Sequence, residues 1–243
     1  MKTLSQGIDY LRRLVIEEGT SVSTNTWQGK ESPGMFKECL GVSIKVQMEE
    51  EPDVGRQPWA DEHFAERVSG QPLNPPPSHL RWSTGTTNYF EKEQKFSHSY
   101  PERMWPKTLL PHGIRYNTAD LNTLVEVIKN DPQTRQAYLP IFFPEDLTAA
   151  SKGDRVPCTL GWQFIVRENQ LHCFYPIRSC DVARHLHNDI YFANRLALWI
   201  RSKADLHVSM GSLHFVCTSL HCFEQDIKAL KIMTEQSSPK EIS

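Results

Sequence analysis

The sequence predicts an α+β domain with one mixed or antiparallel β-sheet. Two observations favour this class: apolar residues recur at helical spacing in three separate segments, and two β-rich segments flank a turn near Glu168 and Asn169. The chain has 243 residues, of which 39% are apolar, so it is long enough to bury a sizeable core. This length suits one large domain or two small ones. The sequence contains no internal repeat, and its pattern favours a single domain over residues 1–243.

The N-terminal half contains one strong helix signal and one long irregular segment. Residues 7–18, "GIDYLRRLVIEE", place apolar side chains on one helix face, and Gly19 follows as a stop signal. Residues 50–113 are rich in Pro, Gly, Ser and charged residues, with "LNPPPSH" as the main breaker. We therefore expect this segment to be loop-rich, with a few short helices.

The C-terminal half alternates helices with strands. The segment "TADLNTLVEVIKND" carries an apolar helical stripe with Thr118 as its cap and Pro132 after it, and "AYLPIFF" predicts a short buried strand. The segments "GWQFIVREN" and "QLHCFYPI" predict a hairpin. A helix follows in "NDIYFANRLALWIRS", with Asn188 or Asp189 in the capping position. Residues 234–243 are polar, which predicts a flexible tail.

Charge and composition exclude several classes of function. The formal net charge is -2, from 27 basic and 29 acidic residues without a long run of either sign, so we expect no nucleic-acid partner. No segment has the roughly 20 apolar residues of a membrane span, and the N-terminus lacks a signal-peptide core, which predicts a cytoplasmic protein without a membrane partner. The 6 cysteines lie scattered without CxxC spacing, which argues against a zinc ribbon or a disulfide scaffold.

Cys158 is a candidate nucleophile in "DRVPCTLGWQF", directly after Pro157 and just before a strand. The proline fixes the direction of the chain and the strand end holds the side chain still, which suits covalent catalysis. Arg178 and Arg155 could favour the thiolate by lowering the pKa of the thiol. The same context also fits an ordinary semi-buried cysteine, so the local sequence leaves both interpretations open.

Two polar pairs follow the predicted hairpin. Arg178 and Ser179, directly after the strand, could bind a phosphate, with Arg135 as a second candidate, although single arginines are more often solvated or ion-paired. Asn188 and Asp189 suit helix capping, but an aspartate could also accept a hydrogen bond from the exocyclic amine of a ligand. If the aspartate shared a proton, it could bind the adjacent ring nitrogen as well.

A metal site is not predicted. His185 and His187 form an HxH pair, but the pair precedes a helix, and no carboxylate or third histidine follows at a recognisable zinc-enzyme spacing. A glycine-rich phosphate loop is also missing, because "STGTTNYF" has neither the Walker lysine nor the Rossmann spacing. Any nucleotide must therefore be bound by other groups.

Four motifs, taken in order, resemble those of the thymidylate synthase family. They are "KNDPQTRQ" at 129–136, "VPCTLGWQFIVRENQLHCFYPIRSCDV" at 156–182, an Asn/Asp position eight residues beyond Asp181, and "GSLHFV" at 211–216. The N-terminal part of the chain matches the family poorly. The resemblance implies a thymidylate-synthase-like fold, with a large mixed sheet packed against helices and one sheet face used for dimerisation.

The resemblance implies nucleophilic catalysis on a pyrimidine nucleoside monophosphate, with 5,10-methylenetetrahydrofolate as the co-substrate. Cys158 would add to C6 of the base and make C5 a nucleophile toward the one-carbon unit of the folate. Arg178 and Ser179 would bind the 5′-phosphate. Arg135 would reach the phosphate bound to the other subunit, which implies a homodimer with shared active sites.

Two departures from the family pattern indicate the substrate. Thr159 follows the cysteine where family members have histidine, and Asp189 stands where they have an asparagine that reads uracil. Both changes resemble the phage deoxycytidylate hydroxymethylases, which would place the protein in the cytoplasm of an infected host. A carboxylate suits cytosine because N4 is a donor where uracil O4 is an acceptor. The resemblance therefore favours conversion of dCMP, or CMP, to the 5-hydroxymethyl nucleotide.

The resemblance also implies roles for further residues. Glu62 is the candidate catalytic glutamate, with Glu66 as the second choice, and Asp189 joins Cys158 in the catalytic set. Further substrate-binding residues are expected to be Thr159, Gln163, Asn188 and His214. Residues on the folate side are expected to be Asp181, Trp105 and Tyr100. Gln136 replaces the second arginine of a family pair, and Val216 replaces a tyrosine that would assist His214 at the sugar.

Several alternatives stay open at this level. The protein could be a thymidylate synthase or hydroxymethylase directed at dUMP, with Asp189 serving only as a helix cap. It could also be a cytidylate C5-methyltransferase, since methylation and hydroxymethylation share every step up to the exocyclic methylene on the base. A different class is a catalytically silent nucleotide- or RNA-binding homologue, or a structural protein that binds no ligand.

Overall fold

The computed structural model describes residues 1–24, 34–81, 95–106 and 119–236. Its strands are β1 (Thr20–Thr24), β2 (Gly34–Gln47), β3 (Tyr138–Pro140), β4 (Gly161–Arg167), β5 (Gln170–Asp181) and β6 (Ser209–Phe223). Its α-helices are α1 (Leu4–Glu18), α2 (Trp59–Arg67), α3 (Tyr100–Met104), α4 (Leu121–Asn130), α5 (Asp146–Ser151), α6 (Leu186–Lys203) and α7 (Ile227–Gln236). In the described part of 50–113, short helices alternate with loops, as the sequence predicts.

The strands of the described residues form one mixed sheet in the order β1-β2-β6-β5-β4-β3. Strands β5 and β6 are parallel, and the other neighbouring pairs are antiparallel. Strands β4 and β5 form the predicted hairpin, in which Glu168 and Asn169 have φ angles of 50° and 55°. Two such residues in succession make the tight turn that matches the twist of a hairpin. The predicted α+β class and its mixed sheet are confirmed.

Helix α1 packs against β2 and shows how local sequence fixes a boundary. It begins at Leu4, earlier than predicted, because Thr3 and Gln6 form a capping box with hydrogen bonds of 3.2 and 3.1 Å. It ends at Glu18, and Gly19 follows as the predicted stop. Its buried apolar face consists of Leu4, Ile8, Leu11 and Val15.

The central strands exchange their inward and outward faces at one level of the sheet. In β6 the buried positions change from odd to even numbers between Cys217 and Leu220, and β5 changes in the same way between Ile177 and Cys180. Opposite this point in β2, Gly41 has a φ of 65°, a conformation that favours glycine. The pairing of these strands stays in register across this level, so the faces exchange in all three strands together, beside the candidate phosphate-binding pair.

The start of α6 differs from the sequence prediction. The helix begins at Leu186 with His185 in the N-cap position, so Asn188 and Asp189 lie inside the first turn. The prediction that one of them caps the helix is therefore wrong. The physical reason lies just upstream, where the carboxylate of Asp181 accepts hydrogen bonds from two backbone N–H groups and closes the turn that leads into the helix.

Two other boundaries differ as well. Strand β5 continues to Asp181, so Arg178 and Ser179 lie within the strand and not after it. Parallel pairing with β6 extends β5 to this point. Helix α7 reaches residue 236, so the first residues of the predicted tail 234–243 are helical and the rest lie outside the described residues.

The remaining predicted elements are shorter or start differently. Helix α4 has Asp120 as its N-cap, with Oδ1 accepting from the N–H of Thr123 at 3.0 Å, whereas the predicted cap Thr118 lies outside the described residues. Only three residues of "AYLPIFF" form β3. Across the described ranges, none of the helices combines the length and the apolar character needed to cross a membrane.

Candidate active site

The candidate nucleophile Cys158 lies in a loop that β5 holds through both backbone and side chain. The N–H of Arg178 donates to the Cys158 carbonyl oxygen at 2.9 Å, and Thr159 pairs with Ile177 in an isolated antiparallel bridge. The Arg178 side chain folds over the same loop and donates to the two carbonyl oxygens before Cys158, at 2.8 and 3.0 Å. Arg178 Nη2 thereby lies 3.9 Å from the Cys158 sulfur.

Opposing effects act on the Cys158 thiol. Burial is the largest effect and raises the pKa of the thiol above its ordinary value. The positive charge of Arg178 lowers this pKa, the negative charge of Asp189 raises it, and Arg155 lowers it. The resting thiol is therefore protonated at neutral pH, and the two arginines are the groups that favour the thiolate.

Buried hydroxyl groups form a chain beside Cys158. Thr159 Oγ1 lies 3.1 Å from the Tyr100 hydroxyl and 2.9 Å from the Tyr175 hydroxyl. Tyr100 begins α3, whereas Tyr175 lies in β5 and stacks on Trp162 with 5.3 Å between the ring centroids. Burial raises the pKa of both tyrosines, so both stay protonated and each hydroxyl can donate or accept.

Tyr100, Cys158 and Asp189 lie close enough together for their charges to interact. Each side chain keeps some accessible surface although protein atoms enclose it, as expected on the wall of a pocket. The negative charge of Asp189 raises the pKa of both Tyr100 and Cys158. The structure thus brings the predicted nucleophile and the predicted base-reading residue together.

The carboxylate of Asp189 is strongly desolvated. Burial raises the pKa of this carboxylate above its ordinary value, while His185 and Arg67 lower it. The Cys180 thiol, which donates to Oδ2 at 3.5 Å, lowers this pKa as well, and Asp181 raises it. A desolvated carboxylate with one weak donor can accept a hydrogen bond from a ligand.

Asp181 ends β5 with one carboxylate oxygen in use and one available. Oδ1 accepts from the N–H groups of Ala183 at 2.9 Å and Arg184 at 3.1 Å. Oδ2 is buried without a hydrogen-bond partner in the described part of the chain, and Arg184 Nε lies 3.7 Å away. A buried oxygen of this kind is suited to accept from an N–H group of a ligand.

Other predicted substrate residues lie toward the outer face of the sheet. Ser179 is partly exposed, next to Arg178 in β5. Arg135 lies just before the edge strand β3 with an exposed side chain, and its carbonyl oxygen accepts from Gln163 Nε2 at 2.8 Å. The side chain of Arg135 is thus presented outward and not toward the cleft of its own chain.

His214 and Asn188 use their side chains for contacts within the protein. His214 Nε2 lies 2.8 Å from Ser212 Oγ, and its ring stacks on Phe174 with centroids 4.3 Å apart. Burial lowers the pKa of His214. Asn188 is buried, and its Oδ1 accepts from the N–H of Arg56 at 2.9 Å, which ties α6 to the segment before α2.

The two candidate glutamates lie on α2. Glu62 is partly exposed and forms an ion pair with Arg81 at 3.0 Å. Glu66 accepts from both the N–H and the hydroxyl of Ser78 at 2.5 Å, and its Oε2 lies 3.2 Å from His63 Nδ1. Among the described contacts, neither carboxylate reaches Cys158.

Arg67, the last residue of α2, is a site residue that sequence reasoning missed. Its guanidinium carbon lies 4.2 Å from the ring centroid of Tyr100 and 4.0 Å from that of Phe192. The indole Nε1 of Trp105, predicted to lie beside the folate, donates to the Arg67 carbonyl oxygen at 2.7 Å and fixes α3 against α2. A single arginine in "AERVSG" has no recognisable signal, because its burial depends on α3 and α6.

Two more residues of the cluster were missed. Tyr175 reads in the sequence as an ordinary strand residue, and only its pairing with Thr159 shows its role. His98 is buried before α3, and burial lowers its pKa well below the ordinary value, an effect that Arg155, Arg103 and Arg178 reinforce. The described residues contain no group of three or more His, Cys, Asp or Glu side chains placed to hold a metal ion.

Comparisons with known proteins identify the family of the chain. A sequence model described as "Thymidylate synthase" matches residues 81–242 of the chain. A bifunctional dihydrofolate reductase-thymidylate synthase from Paramecium tetraurelia is 26% identical over 113 residues, and one from Zea mays is 30% identical over 111 residues. Each alignment covers 46% of this chain but only 23% and 20% of those longer proteins. The chain thus spans less than a quarter of these bifunctional relatives.

Two further matches concern proteins closer in length. A putative thymidylate synthase from Methanococcoides burtonii is 25% identical over 136 residues, covering 56% of this chain and 57% of that protein. The thermostable thymidylate synthase A from Bacillus subtilis shares the fold with a TM-score of 0.71 at 17% identity, over 96% of this chain and 84% of that one. The chain belongs to the thymidylate synthase family, a family of folate-dependent one-carbon transferases.

Proposed function

We propose that the protein is a pyrimidine nucleotide C5-hydroxymethyltransferase that converts dCMP, or CMP, to the 5-hydroxymethyl nucleotide with 5,10-methylenetetrahydrofolate. The observation that carries this proposal is the proximity of Cys158 and Asp189, since the charge of Asp189 acts on the Cys158 thiol. A thiol beside Arg178 supplies the nucleophile, and a desolvated carboxylate supplies an acceptor for the exocyclic amine of cytosine.

The reaction starts at the Cys158 sulfur. Its thiolate forms a bond to C6 of the base, and the electron pair of the C5–C6 double bond moves to C5, which then attacks an electrophilic carbon. The folate supplies that carbon as a one-carbon unit at the oxidation level of formaldehyde. Loss of the C5 proton and cleavage of the bond between the one-carbon unit and the folate nitrogen would release tetrahydrofolate and leave an exocyclic methylene on C5. Water would add to that methylene, and the sulfur would then leave C6 as the C5–C6 double bond forms again.

Other residues of the cleft bind and orient the reactants. Arg178 and Ser179 lie where the central strands exchange faces, and their donors are suited to the 5′-phosphate. Asp181 Oδ2, buried without a partner in the described residues, suits an N–H group of the folate. The hydroxyl chain through Thr159 stands in the place of the histidine that usually follows the family cysteine, and it can pass a proton beside the reacting carbons.

The outer face of the sheet supports a homodimer with shared active sites. Large apolar residues are exposed on or beside the strands of this face, including Leu40 at 72%, Val216 at 47% and Tyr138 at 42%. A patch of this kind on a soluble chain is typical of a protein interface. Arg135 lies at the edge of the same face and would reach the phosphate bound by the partner.

A product assay tests the function directly. Purified protein is incubated with methylenetetrahydrofolate and, separately, with dCMP, CMP and dUMP, and the products are identified by mass spectrometry. We expect a hydroxymethyl product from a cytidylate. Turnover of dUMP alone would overturn the substrate assignment, a methyl product would overturn the reaction, and no product from any nucleotide would favour a silent homologue.

Two cysteine variants separate the nucleophile from general effects. Cys158→Ser is expected to abolish product formation, whereas Cys39→Ser, at a partly buried cysteine of β2, is the matched control and should keep it. The shared site is tested by mixing two inactive proteins, Arg135→Ala and Cys158→Ser. Hybrid dimers should regain part of the activity, and no regain would count against a phosphate site shared between subunits.

A further inference from the structure

Arg67 is a buried cation in the wall of the proposed cleft. Only 6% of its surface is exposed, and its guanidinium carbon lies 4.2 Å from the Tyr100 ring and 4.0 Å from the Phe192 ring. The hydrogen bond from Trp105 Nε1 to its carbonyl oxygen holds the backbone at this point. The guanidinium therefore has a fixed position between α3 and α6.

The charge of Arg67 is incompletely compensated within the described residues. Its Nε is buried without a hydrogen-bond partner, and the ion pairs of the described residues do not include it. Two aromatic faces stabilise a guanidinium, but they leave its in-plane N–H groups without acceptors. A buried charge is normally paired or bound to a ligand, so this position suits a hydrogen-bond acceptor of a ligand.

The two rings around Arg67 connect it to both ends of the cleft. The Tyr100 hydroxyl bonds to Thr159, the neighbour of Cys158, at 3.1 Å. Phe192 lies on α6 three residues after Asp189, so the two side chains are neighbours on one helix face. Arg67 and Asp189 also attract each other: the positive charge of Arg67 lowers the pKa of Asp189, and the negative charge of Asp189 raises the pKa of Arg67. The guanidinium thus lies between the nucleophile side and the carboxylate side.

Asp189 meets charged and titratable groups from every element packed around it. In the described part of the chain these are Arg67 of α2, Tyr100 of α3, Cys158 of the loop, Tyr175, Cys180 and Asp181 of β5, His185 before α6, and Cys217 of β6. His185 is exposed, whereas Arg67 is the buried cation of this set. The carboxylate therefore has a permanent positive neighbour inside the cleft.

We infer that Arg67 is a specificity-determining residue, which forms with Asp189 a donor–acceptor pair for the edge of the pyrimidine base. This inference rests on the proposed function. On cytosine, the N4 amino group would donate to Asp189 and the N3 lone pair would accept from the guanidinium. Because cytosine N3 accepts a hydrogen bond, a carboxylate alone could bind it only in the protonated form. With Arg67 as the donor to N3, Asp189 can stay ionised.

The pH dependence of nucleotide binding tests the role of Arg67 directly. Without Arg67 the carboxylate must be protonated to bind the cytosine ring nitrogen, so binding of dCMP should become favoured by acid. Uracil N3 carries a hydrogen and donates a hydrogen bond to an ionised carboxylate. Binding of dUMP therefore does not require Asp189 to be protonated. Loss of Arg67 should therefore move the preference from dCMP toward dUMP, most strongly at high pH.

The experiment is equilibrium binding of dCMP and dUMP, without folate, by calorimetry between about pH 5.5 and about pH 8.5. Arg67→Met keeps the apolar packing between the two rings, and we expect its affinity for dCMP to fall about tenfold or more at neutral pH and to recover partly in acid. Arg67→Lys keeps the charge and should retain part of the affinity. Arg195→Met is the matched control, because Arg195 lies over Phe64 and Tyr191 and pairs with Asp61.

The outcomes separate this inference from the proposed function. If the unmodified protein binds neither nucleotide, the proposed function fails. If it binds dCMP, and Arg67→Met shows the same ratio of dCMP to dUMP affinity and the same pH profile, the role of Arg67 is overturned. Thermal unfolding of each variant checks that it is folded. If Arg67→Met does not fold, Arg67→Lys takes its place in the comparison. An unchanged ratio of dCMP to dUMP affinity and an unchanged pH profile in Arg67→Lys would then overturn the role of Arg67.

Discussion

Arg178 and Cys158 are joined through both backbone and side chain. The N–H of Arg178 donates to the Cys158 carbonyl oxygen at 2.9 Å, and its Nη2 lies 3.9 Å from the sulfur. One residue therefore fixes the position of the thiol and favours its ionisation. Substitution of the Arg178 side chain removes its charge but keeps the backbone hydrogen bond, so the two effects on Cys158 can be separated.

Arg178→Met should raise the pKa of the Cys158 thiol, because burial already raises it and Arg178 works in the opposite direction. We expect the alkylation rate of Cys158 by iodoacetamide to fall at a given pH, and its pH profile to move toward higher pH. Arg178→Lys keeps a positive charge and should show a smaller shift. Alkylation of Cys39 in the same molecules, followed by peptide mass spectrometry, is the internal reference, and equal profiles for Cys158 in all three proteins would contradict the prediction.

Thr159→Val should destabilise the protein by about 1–3 kcal/mol, because the buried hydroxyls of Tyr100 and Tyr175 lose their shared partner. Valine has nearly the same shape, so the loss reports the hydroxyl group. The measurement is urea unfolding. In a double-mutant cycle with Tyr100→Phe, the double variant should lose less stability than the sum of the two single variants. The reason is that Tyr100→Phe removes a hydroxyl that Thr159→Val leaves without its partner. Additive costs would show that the chain is not a coupled unit.

Sequence reasoning predicted the parts of the candidate site that lie in contiguous motifs. Cys158 and Asp189 are predicted because each stands at a fixed distance along the chain from the hairpin. The family-level resemblance is confirmed by the match over residues 81–242. The hairpin itself follows from local turn chemistry, which needs no tertiary contact. Motif spacing is thus sufficient to predict the nucleophile and the base-reading position.

Residues contributed by distant elements could not be found in this way. Arg67 becomes a site residue only when α3 and α6 fold over the end of α2, and "AERVSG" contains no sign of that burial. Strands β2 and β6 were also missed as elements, because the exchange of faces at the level of Gly41 breaks the alternation of buried and exposed positions. A period of two is the signal on which strand prediction depends.

The stability of the protein should fall as the pH drops from about 6.5 toward 4, partly because of His187. Burial, together with the charges of Arg12, His185 and Arg56, lowers the pKa of His187 from 6.5 to about 4. A histidine with a depressed pKa stabilises the fold above its unfolded pKa, and this contribution is lost as the pH falls through the folded value. At about 1.4 kcal/mol per pKa unit, the contribution is on the order of 3 kcal/mol.

His187→Asn removes this titration and should flatten the stability curve. The free energy of unfolding is measured by urea denaturation between about pH 7 and about pH 4, and the variant should lose less stability on acidification than the unmodified protein. His207→Asn serves as the control, because the side chain of His207 is exposed. Equal slopes for all three proteins would contradict the assignment to His187.

Asp189→Asn should move the substrate preference from dCMP toward dUMP. The carboxylate accepts from the N4 amino group of cytosine, whereas an amide can donate to O4 of uracil and accept from its N3 proton. A buried mismatch costs about 1–3 kcal/mol, so we expect the ratio of kcat/KM for dCMP and dUMP to change by about tenfold or more. The measurement is turnover of both nucleotides by each protein, with Asp181→Asn as a control that alters a neighbouring carboxylate on the folate side. If Asp189→Asn lowers both activities equally, Asp189 supports catalysis or folding without reading the base.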